Sequence, residues 1–286
     1  MRASWTLREA LREVRETFRA QPALAPRARR EAEILVGGLL GLDYAQLILA
    51  EDRVLTSEER DLVAAGSKRR AAGEPLAYIL GKREFYGWEF LVGPGVLIPR
   101  PETETLVDLV LAWSQGRRQG RILDLCAGSG CVGWSIKKLA PFLQVAAQEL
   151  EEGARVYLEA NKRHLGLEGQ VQIWGGDLFQ EVEGRFDYIV ANPPYIGRES
   201  GLRPQAEVVA YEPPTALFSG VDGLELLERL VGEAPAYLEP GGHLAVEIGG
   251  DQGAAVRAFF ERAKFQEIEV RRDLAGWERV VSGVYL

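Results

Sequence analysis

From residue 121 onward, short apolar runs alternate with segments of helical periodicity, and this alternation constrains the fold more than any other feature. Parallel strands need a crossover between them, so strands separated by helices indicate a parallel sheet covered on both faces. The last two runs have no helix between them and are expected to pair antiparallel. The candidate strands are 121–125, 143–147, 171–174, 186–191, 243–248, 265–271 and 279–285. We therefore predict an α/β fold with a seven-stranded, mostly parallel sheet and an antiparallel C-terminal strand.

The first 75 residues have a different pattern, typical of a small helical bundle. Thr6 and Glu9 have the spacing of a capping box, and apolar residues follow them at helical intervals. Aromatic and β-branched residues surround Gly87, which predicts a β-hairpin. We expect three parts: a helical bundle over 1–75, a linker with the hairpin over 76–97, and a second domain over 98–286.

Composition excludes several classes of protein. Of the 286 residues 47% are hydrophobic, but no apolar run approaches the roughly 20 residues that span a bilayer. The amphipathic N-terminus lacks the apolar core of a signal peptide, so we expect a cytoplasmic protein. The two cysteines, Cys126 and Cys131, are then expected to be reduced, and with only two histidines no metal site is predicted.

The charge distribution is uneven along the chain. A net charge of −8 argues against a dedicated nucleic-acid-binding protein. Residues 1–83 nevertheless contain 15 basic and 12 acidic residues, whereas the remainder contains 19 and 30. This small basic excess fits either an acidic protein partner or an ordinary solvated helical surface. We expect no direct nucleic-acid contact and a monomeric protein.

Three predicted strands end in residues suited to a nucleoside-like ligand. The first runs into Asp124-Leu125-Cys126-Ala127-Gly128-Ser129-Gly130, whose glycines let a ligand approach the backbone. Glu149 ends the second, where an acid binds a ribose diol or simply stays solvated at a helix N-terminus. Asp177 and Leu178 end the third, where they border an adenine or cap a turn. Carboxyl ends of parallel strands meet at one edge, so we predict one site, for a nucleoside without a pyrophosphate.

The fourth strand ends in Asn192-Pro193-Pro194-Tyr195, where the prolines stop the strand because neither can donate to a β-ladder. The Asn192 side chain and the Pro193 backbone each offer a carbonyl, and two acceptors can hold both hydrogens of one –NH2 group. Tyr195 either stacks on the planar group that carries this nitrogen or packs in the core. Holding both N–H bonds eases pyramidalisation of a conjugated, weakly nucleophilic nitrogen as it attacks. The motif thus predicts group transfer to an amide or exocyclic amine; the alternative is an ordinary turn.

Together these motifs resemble the class I S-adenosylmethionine-dependent methyltransferases and, more closely, the HemK/PrmC family of release-factor glutamine methyltransferases. Asn-Pro-Pro-Tyr alone is shared with methyltransferases that act on exocyclic amines of adenine and guanine. The narrower family marks extend over essentially the whole chain: PLAYILG at 75–81, EFYG at 84–87, VLIPRPETE at 96–104, YEPP at 211–214 and AL at 216–217.

The resemblance implies a Rossmann-like sheet, S-adenosyl-L-methionine as cofactor, and methylation of the glutamine side-chain amide in the Gly-Gly-Gln motif of class 1 peptide chain release factors. We also predict that the helical bundle contacts the release factor, because it is a separate domain with a basic excess. The implied catalytic residues are Asn192, Pro193 and Tyr195. The implied substrate-binding residues are Asn192, Pro193, Pro194, Tyr195 and Arg100, with 98–104 as part of the wall over the substrate. The implied cofactor-binding residues are Asp124, Cys126, Ala127, Gly128, Ser129, Gly130, Glu149, Asp177, Leu178 and Asn192.

The chain departs from the family pattern at two positions. Cys126 stands where the broader methyltransferase pattern has glycine, and Glu149 is one methylene longer than the usual aspartate. Glu247 matches a family position inside an apolar strand. A buried acid there needs a partner. Its role is either catalytic or structural, and we favour the structural one.

Two other functions fit parts of the sequence. A nucleic-acid base methyltransferase would use the same grip on an amine, but the acidic second domain and the lack of a recognisable nucleic-acid-binding module argue against it. A cofactor-binding module that recruits a translation factor without catalysis would not need an intact Asn-Pro-Pro-Tyr.

Overall fold

The computed structural model describes residues 5–200, 204–273 and 275–286. The chain divides into two compact units, Met1–Gly81 and Lys82–Leu286. The division follows a short helix, Leu76–Leu80, which ends at Gly81, where a φ of +73° suits glycine. Ile79 of this helix is buried in the core of the first unit, whereas the sequence pattern assigned residues 76–97 to a linker.

The first unit is a group of helices around one apolar core. Its described α-helices are α1 (Leu7–Arg19), α2 (Ala28–Leu40), α3 (Tyr44–Leu49), α4 (Ser57–Ala71) and α5 (Leu76–Leu80), with a 3₁₀ turn at Ala25–Arg27. A capping box begins α1: the Glu9 amide donates to Thr6 Oγ1 at 3.3 Å and the Thr6 amide donates to Glu9 Oε2 at 2.8 Å. Phe18, Leu35 and Val63 are fully buried. Packing of this apolar face stabilises helices that would be marginal alone.

The second unit begins with a β-hairpin of strands β1 (Lys82–Phe85) and β2 (Trp88–Leu91). Tyr86 and Gly87 form its two-residue turn with positive φ of +51° and +78°, which matches the twist of the flanking strands. The Asn161 side chain accepts from the Leu91 amide at 2.7 Å and donates to the Leu91 carbonyl at 3.0 Å. These bonds fix the hairpin to a helix of the same unit.

The main sheet of the second unit has seven strands in the described residues. They are β3 (Gly120–Leu125), β4 (Leu143–Gln148), β5 (Val171–Trp174), β6 (Phe186–Ala191), β7 (Leu238–Glu247), β8 (Gln266–Arg272) and β9 (Glu278–Tyr285). Their order is β5-β4-β3-β6-β7-β9-β8. Pairs from β5 to β7 are parallel, and β9 is antiparallel to both β7 and β8. The predicted fold class is confirmed.

Helices cover both faces of this sheet. One apolar core contains Leu106 and Trp134 and the other contains Leu230 and Phe260, so two groups of helices pack on opposite faces. Within the described chain, none of the helices has the length and apolarity to cross a bilayer. The α-helices of this unit are α6 (Glu104–Trp113), α7 (Cys131–Leu139), α8 (Glu152–His164), α9 (Ala206–Tyr211), α10 (Pro214–Leu217), α11 (Glu225–Glu233) and α12 (Gly253–Arg262), with 3₁₀ turns at Pro101–Thr103 and Ala234–Tyr237.

Strand β7 begins at Leu238, earlier than the predicted start at residue 243. Its pairing with β6 shifts register between Phe186 and Tyr188, and Gly241 lies in the irregular part with a φ of +79°. A segment that contains proline and two glycines does not have the apolar pattern of a strand, so the sequence did not reveal this extension.

The order of the strands in the sheet determines where a ligand-binding crevice lies. β3 and β6 are neighbours although β4 and β5 come between them in the chain, so the direction of winding reverses at this pair. In open parallel sheets, ligands bind beyond the carboxyl ends of the strands at such a point. β3 ends at Leu125 and β6 at Ala191, so the glycine-bearing turn and Asn192 emerge side by side.

Candidate active site

Two cavities meet at Asn192. The first lies at the carboxyl ends of the strands, and the second lies beside Pro193, Tyr195 and Glu247. Asn192 and Arg100 line both. The residues predicted for the cofactor that line the first cavity are Asp124, Cys126, Ala127, Gly128, Ser129, Glu149, Asp177, Leu178 and Asn192. Of the residues predicted for the substrate, Pro194 lines the first cavity, whereas Arg100, Asn192, Pro193 and Tyr195 line the second.

Gly130 is the predicted cofactor residue that does not line the first cavity. It is the N-cap of α7, with a φ of +80°, and a Cβ there would lie 2.3 Å from Trp134 Nε1. Only glycine fits this position, so its role is to let the helix start close to the packed indole. Gly128, Gly130 and Gly133 also have the full G-x-G-x-x-G spacing. Glycine spacing therefore does not favour a nucleoside over a dinucleotide, and the prediction of a ligand without a pyrophosphate has no support from this turn.

The backbone conformation at Cys126 explains why other methyltransferases usually have glycine at this position. Its φ of +55° lies in the left-handed region, where a side chain is strained and glycine is not. Burial, together with the nearby carboxylates of Glu149 and Asp124, raises the pKa of the Cys126 thiol well above its usual range. The thiol therefore stays neutral, as a small partly buried side chain at the base of the turn.

Two carboxylates hold the turn. Asp124 Oδ2 accepts from the Gly133 amide at 2.8 Å, and burial raises the pKa of this carboxyl to about 7. Glu149 Oε2 accepts from the Gly128 amide at 2.7 Å, and its Oε1 accepts from the Glu151 amide at 2.9 Å. The extra methylene of glutamate lets this side chain reach back to the glycine turn. Burial raises the pKa of Glu149 as well.

Asp177 and Leu178 stand at the far side of the first cavity. Leu178 is buried, with a φ of +49°, an uncommon conformation for a leucine. Asp177 Oδ2 accepts from Arg229 Nη2 at 2.8 Å. No sequence pattern indicates Arg229, because this residue lies on α11, far from Asp177 along the chain.

Asn192 is held by a hydrogen-bond chain that sequence reasoning missed. Its Nδ2 donates to Thr103 Oγ1 at 3.2 Å, and the Thr103 hydroxyl donates to Glu247 Oε2 at 2.6 Å. Tyr195 donates its hydroxyl to Glu247 Oε1 at 3.2 Å. Within the described residues, neither Asn192 Oδ1 nor the Pro193 carbonyl receives a hydrogen bond. Both predicted acceptors are therefore available to a ligand.

The segment before α6 forms the wall shared by the two cavities. Glu212 Oε1 accepts from Arg100 Nη2 at 2.5 Å, and Glu212 Oε2 accepts from the Ile98 amide at 3.1 Å. Glu212 is 3% exposed. Its contacts explain why the YEPP and VLIPRPETE motifs occur together: one carries the acid that fixes the backbone of the other.

The first cavity suits a nucleoside with a charged, flexible substituent. A Cβ on Gly128 would meet only Val96, at 3.9 Å, so open space lies directly beside this backbone. A carboxylate has about four lone-pair sites, and two backbone amides leave Glu149 with capacity for two ribose hydroxyls. Leu178 adds an apolar wall. The residues present therefore fit S-adenosylmethionine. No cluster of three or more metal-ligating side chains occurs in the described ranges.

Comparison with known proteins agrees with this geometry. Residues 9–81 match the family described as the PrmC N-terminal domain, and residues 103–206 match the Methyltransferase small domain. Two solved structures share the fold. The hMettl16 catalytic domain in complex with MAT2A 3'UTR hairpin 6 has a TM-score of 0.58 and 13% identity, over 81% of this chain and 83% of that one. A methyltransferase from Pyrococcus furiosus has a TM-score of 0.52 and 16% identity, over 80% of this chain and 98% of that one. The fold and site thus define a S-adenosylmethionine-dependent methyltransferase.

Closer relatives define the family. The release factor glutamine methyltransferase of Bordetella pertussis is 43% identical over 264 residues, which cover 90% of this chain and 95% of that protein. The protein of the same name from Geobacter sulfurreducens is 40% identical over 284 residues, which cover 98% and 96%. The chain belongs to the release factor glutamine methyltransferase family.

Proposed function

We propose that this enzyme transfers a methyl group from S-adenosylmethionine to the side-chain amide nitrogen of the glutamine in the Gly-Gly-Gln motif of class 1 peptide chain release factors. One observation carries the proposal. Asn192 lies between a cofactor-sized cavity and a second cavity, with its Oδ1 and the adjacent Pro193 carbonyl both available. Such a pair of acceptors matches the two hydrogens of a primary amide.

The chain's own residues position the amide nitrogen for attack. Asn192 Oδ1 and the Pro193 carbonyl each accept one N–H, and Tyr195 lies beside the planar amide. S-adenosylmethionine, when bound, supplies a methyl group made electrophilic by its sulfonium sulfur. A nitrogen–carbon bond forms as the carbon–sulfur bond breaks, and the methylated nitrogen loses one proton to water. Orientation and electrostatic stabilisation of the nitrogen lower the barrier without a strong base.

We assign the cofactor contacts by the same reasoning. Glu149 binds the ribose hydroxyls, Asp177 and Leu178 border the adenine, and the Cys126–Ser129 turn surrounds the rest of the ligand. Asp177 contacts the ligand through Oδ1, because Oδ2 accepts from Arg229. Gly130 supports the turn from behind.

We propose that the helical first unit recognises the release factor. Helix α3 exposes apolar side chains: Tyr44 is 58%, Ile48 53% and Leu49 87% exposed. Exposed apolar side chains close together are typical of a protein-binding surface. The basic excess of residues 1–83 suits an acidic partner. We also propose that the enzyme acts as a monomer in the cytoplasm, where release factors work.

Transfer of a labelled methyl group to a purified class 1 release factor tests the function. The control is the same factor with the glutamine of Gly-Gly-Gln changed to alanine. Label on the unchanged factor alone is the expected result. Label on neither factor, with cofactor binding verified, would contradict the proposal, and RNA and DNA would then be tried as acceptors. A triple variant, Tyr44→Ser with Ile48→Ser and Leu49→Ser, should raise KM for the factor but leave cofactor affinity unchanged.

A further inference from the structure

We propose that Glu247 and Thr103 act together as positioning residues that orient the Asn192 amide, so that its Oδ1 and not its Nδ2 faces the substrate. The inference rests on the proposed function and deepens it. Glu247 lines the second cavity, and it reaches the Asn192 amide only through the Thr103 hydroxyl. The sequence pattern favours a structural role for this acid over a catalytic one and does not indicate its partners.

The direction of the hydrogen bonds carries the argument. An ionised carboxylate can only accept, so the Thr103 hydroxyl must donate its single hydrogen to Glu247 Oε2, at 2.6 Å. The Thr103 oxygen then presents only lone pairs to Asn192. An amide turned over by 180° would place Oδ1 against those lone pairs, which is repulsive. The carboxylate therefore selects the orientation in which Nδ2 donates to Thr103, at 3.2 Å.

Burial makes this selection effective. Thr103 and Glu247 are each 2% exposed, so water does not offer the hydroxyl another acceptor. The two residues come from opposite parts of the unit, the 3₁₀ turn before α6 and the last residue of β7. The second carboxylate oxygen accepts from the Tyr195 hydroxyl at 3.2 Å, so one acid holds both the amide and the aromatic ring of the motif.

Substitutions that reverse or remove the hydrogen bonds between Glu247, Thr103 and Asn192 test the inference. In Glu247→Gln, the side-chain amide can donate to Thr103, whose hydroxyl then donates toward Asn192 and favours the inverted amide. Thr103→Val removes the hydroxyl at nearly constant volume. We expect each to lower kcat by about 10- to 100-fold, the equivalent of one misdirected buried hydrogen bond, with the KM for S-adenosylmethionine unchanged. Thr103→Ser keeps the hydroxyl and should retain most of the activity.

Non-additivity separates positioning from a general structural effect. If both residues act through one orientation of Asn192, the double variant should be no slower than the slower single variant. Asp187→Asn is the matched control, because Asp187 is a hydrogen-bonded carboxylate at the opposite end of β6. It should leave kcat unchanged. Should Glu247→Gln fail to fold, the Thr103→Val and Thr103→Ser pair still decides the question.

A spectroscopic measurement keeps this inference independent of the methylation assay. The side-chain amide signals of Asn192, identified by their loss in Asn192→Ala, can be followed by ¹⁵N NMR in the free enzyme. Both Thr103→Val and Glu247→Gln should shift these signals, whereas Asp187→Asn should not. Unshifted signals, or kcat within twofold of the unsubstituted enzyme in both variants, would overturn the inference. Failure of the unsubstituted enzyme to methylate a release factor would instead overturn the proposed function.

Discussion

Glu212 bonds both the guanidinium of Arg100, at 2.5 Å, and the backbone amide of Ile98, at 3.1 Å. One buried carboxylate thus fixes the segment that forms the wall between the two cavities. Removing it leaves the Ile98 amide, which is buried, without its acceptor. The segment would then no longer be fixed in position, and the Ile98 amide would have no hydrogen-bond acceptor.

Glu212→Ala should therefore lower stability by about 1–3 kcal/mol, the usual cost of a buried polar group left unsatisfied. It should also raise KM for the release factor more than Arg100→Ala does, because it releases both Arg100 and the Ile98 amide, whereas Arg100→Ala leaves the bond from the Ile98 amide in place. Chemical denaturation and steady-state kinetics measure the two effects. A Glu212→Ala protein with unchanged stability and KM would show that this contact does not hold the wall.

Asn192→Ala separates an enzyme from a recruitment module. An enzyme should lose at least about 100-fold in kcat, because one of the two acceptors for the amide is gone, and should keep its cofactor affinity. Calorimetry with S-adenosylmethionine provides the second measurement. Unchanged turnover in this variant would contradict the role assigned to the motif.

Glu149→Gln tests the cofactor site. The substitution keeps the shape of the side chain but replaces one acceptor oxygen with a donor, which cannot accept from both Gly128 and Glu151. We expect affinity for S-adenosylmethionine to fall about 10- to 100-fold, which corresponds to the loss of one or two charge-assisted hydrogen bonds. Glu152→Gln is the control, since Glu152 is exposed at the start of α8. Equal affinities for the two variants would remove Glu149 from the site.

Gly130→Ala should destabilise the protein through steric overlap. The new Cβ would lie 2.3 Å from Trp134 Nε1 and 2.7 Å from Leu158 Cδ1, at a φ of +80°. Gly241→Ala is a matched control, because Gly241 has a φ of +79° and no atom within 4 Å of an added Cβ. We expect a loss of about 1 kcal/mol for the control, from the backbone alone, and at least about 2 kcal/mol for Gly130→Ala. Thermal denaturation measures the stability of both variants. Equal losses of stability in Gly130→Ala and Gly241→Ala would show that the steric overlap is unimportant.

Glu247 should make stability depend on pH. Burial raises the pKa of this carboxyl to about 7 from its ordinary 4.5, although hydrogen bonds from Thr103 and Tyr195 oppose the rise. The folded state then binds more protons than the unfolded state. The contribution of Glu247 to stability is full below about pH 4.5 and is lost as the pH rises to about 7. The unfolding free energy of the unsubstituted protein minus that of Glu247→Gln should fall across this window.

Activity should have the opposite dependence, since only the ionised carboxylate compels Thr103 to donate. In the unsubstituted enzyme kcat should rise through about pH 7, and in Glu247→Gln this rise should be absent. The charged and titratable groups that face Glu247 are Arg279, Glu102, the Tyr195 phenol and the Cys131 thiol. Asp124, whose pKa burial also raises to about 7, is present in both proteins and cancels in the comparison. Identical pH profiles would contradict the positioning role.

Local sequence patterns are sufficient to predict the order of elements and the residues at the strand ends. Alternation of apolar runs with helical segments defines a parallel sheet, and the carboxyl ends of parallel strands lie at one edge. For that reason the sequence places Asp124, Glu149, Leu178 and Asn192 in one crevice. These are local patterns, and their consequences follow from backbone geometry.

Which side chains hold that crevice in shape depends on long-range contacts that exist only in the folded chain. Thr103 meets Glu247, Arg100 meets Glu212 and Arg229 meets Asp177 across long stretches of chain. No spacing rule pairs such residues, because their meeting depends on the order in which strands are laid into the sheet. The same holds for the strained φ of Cys126 and for the first residues of β7, where tertiary packing and not local preference sets the backbone.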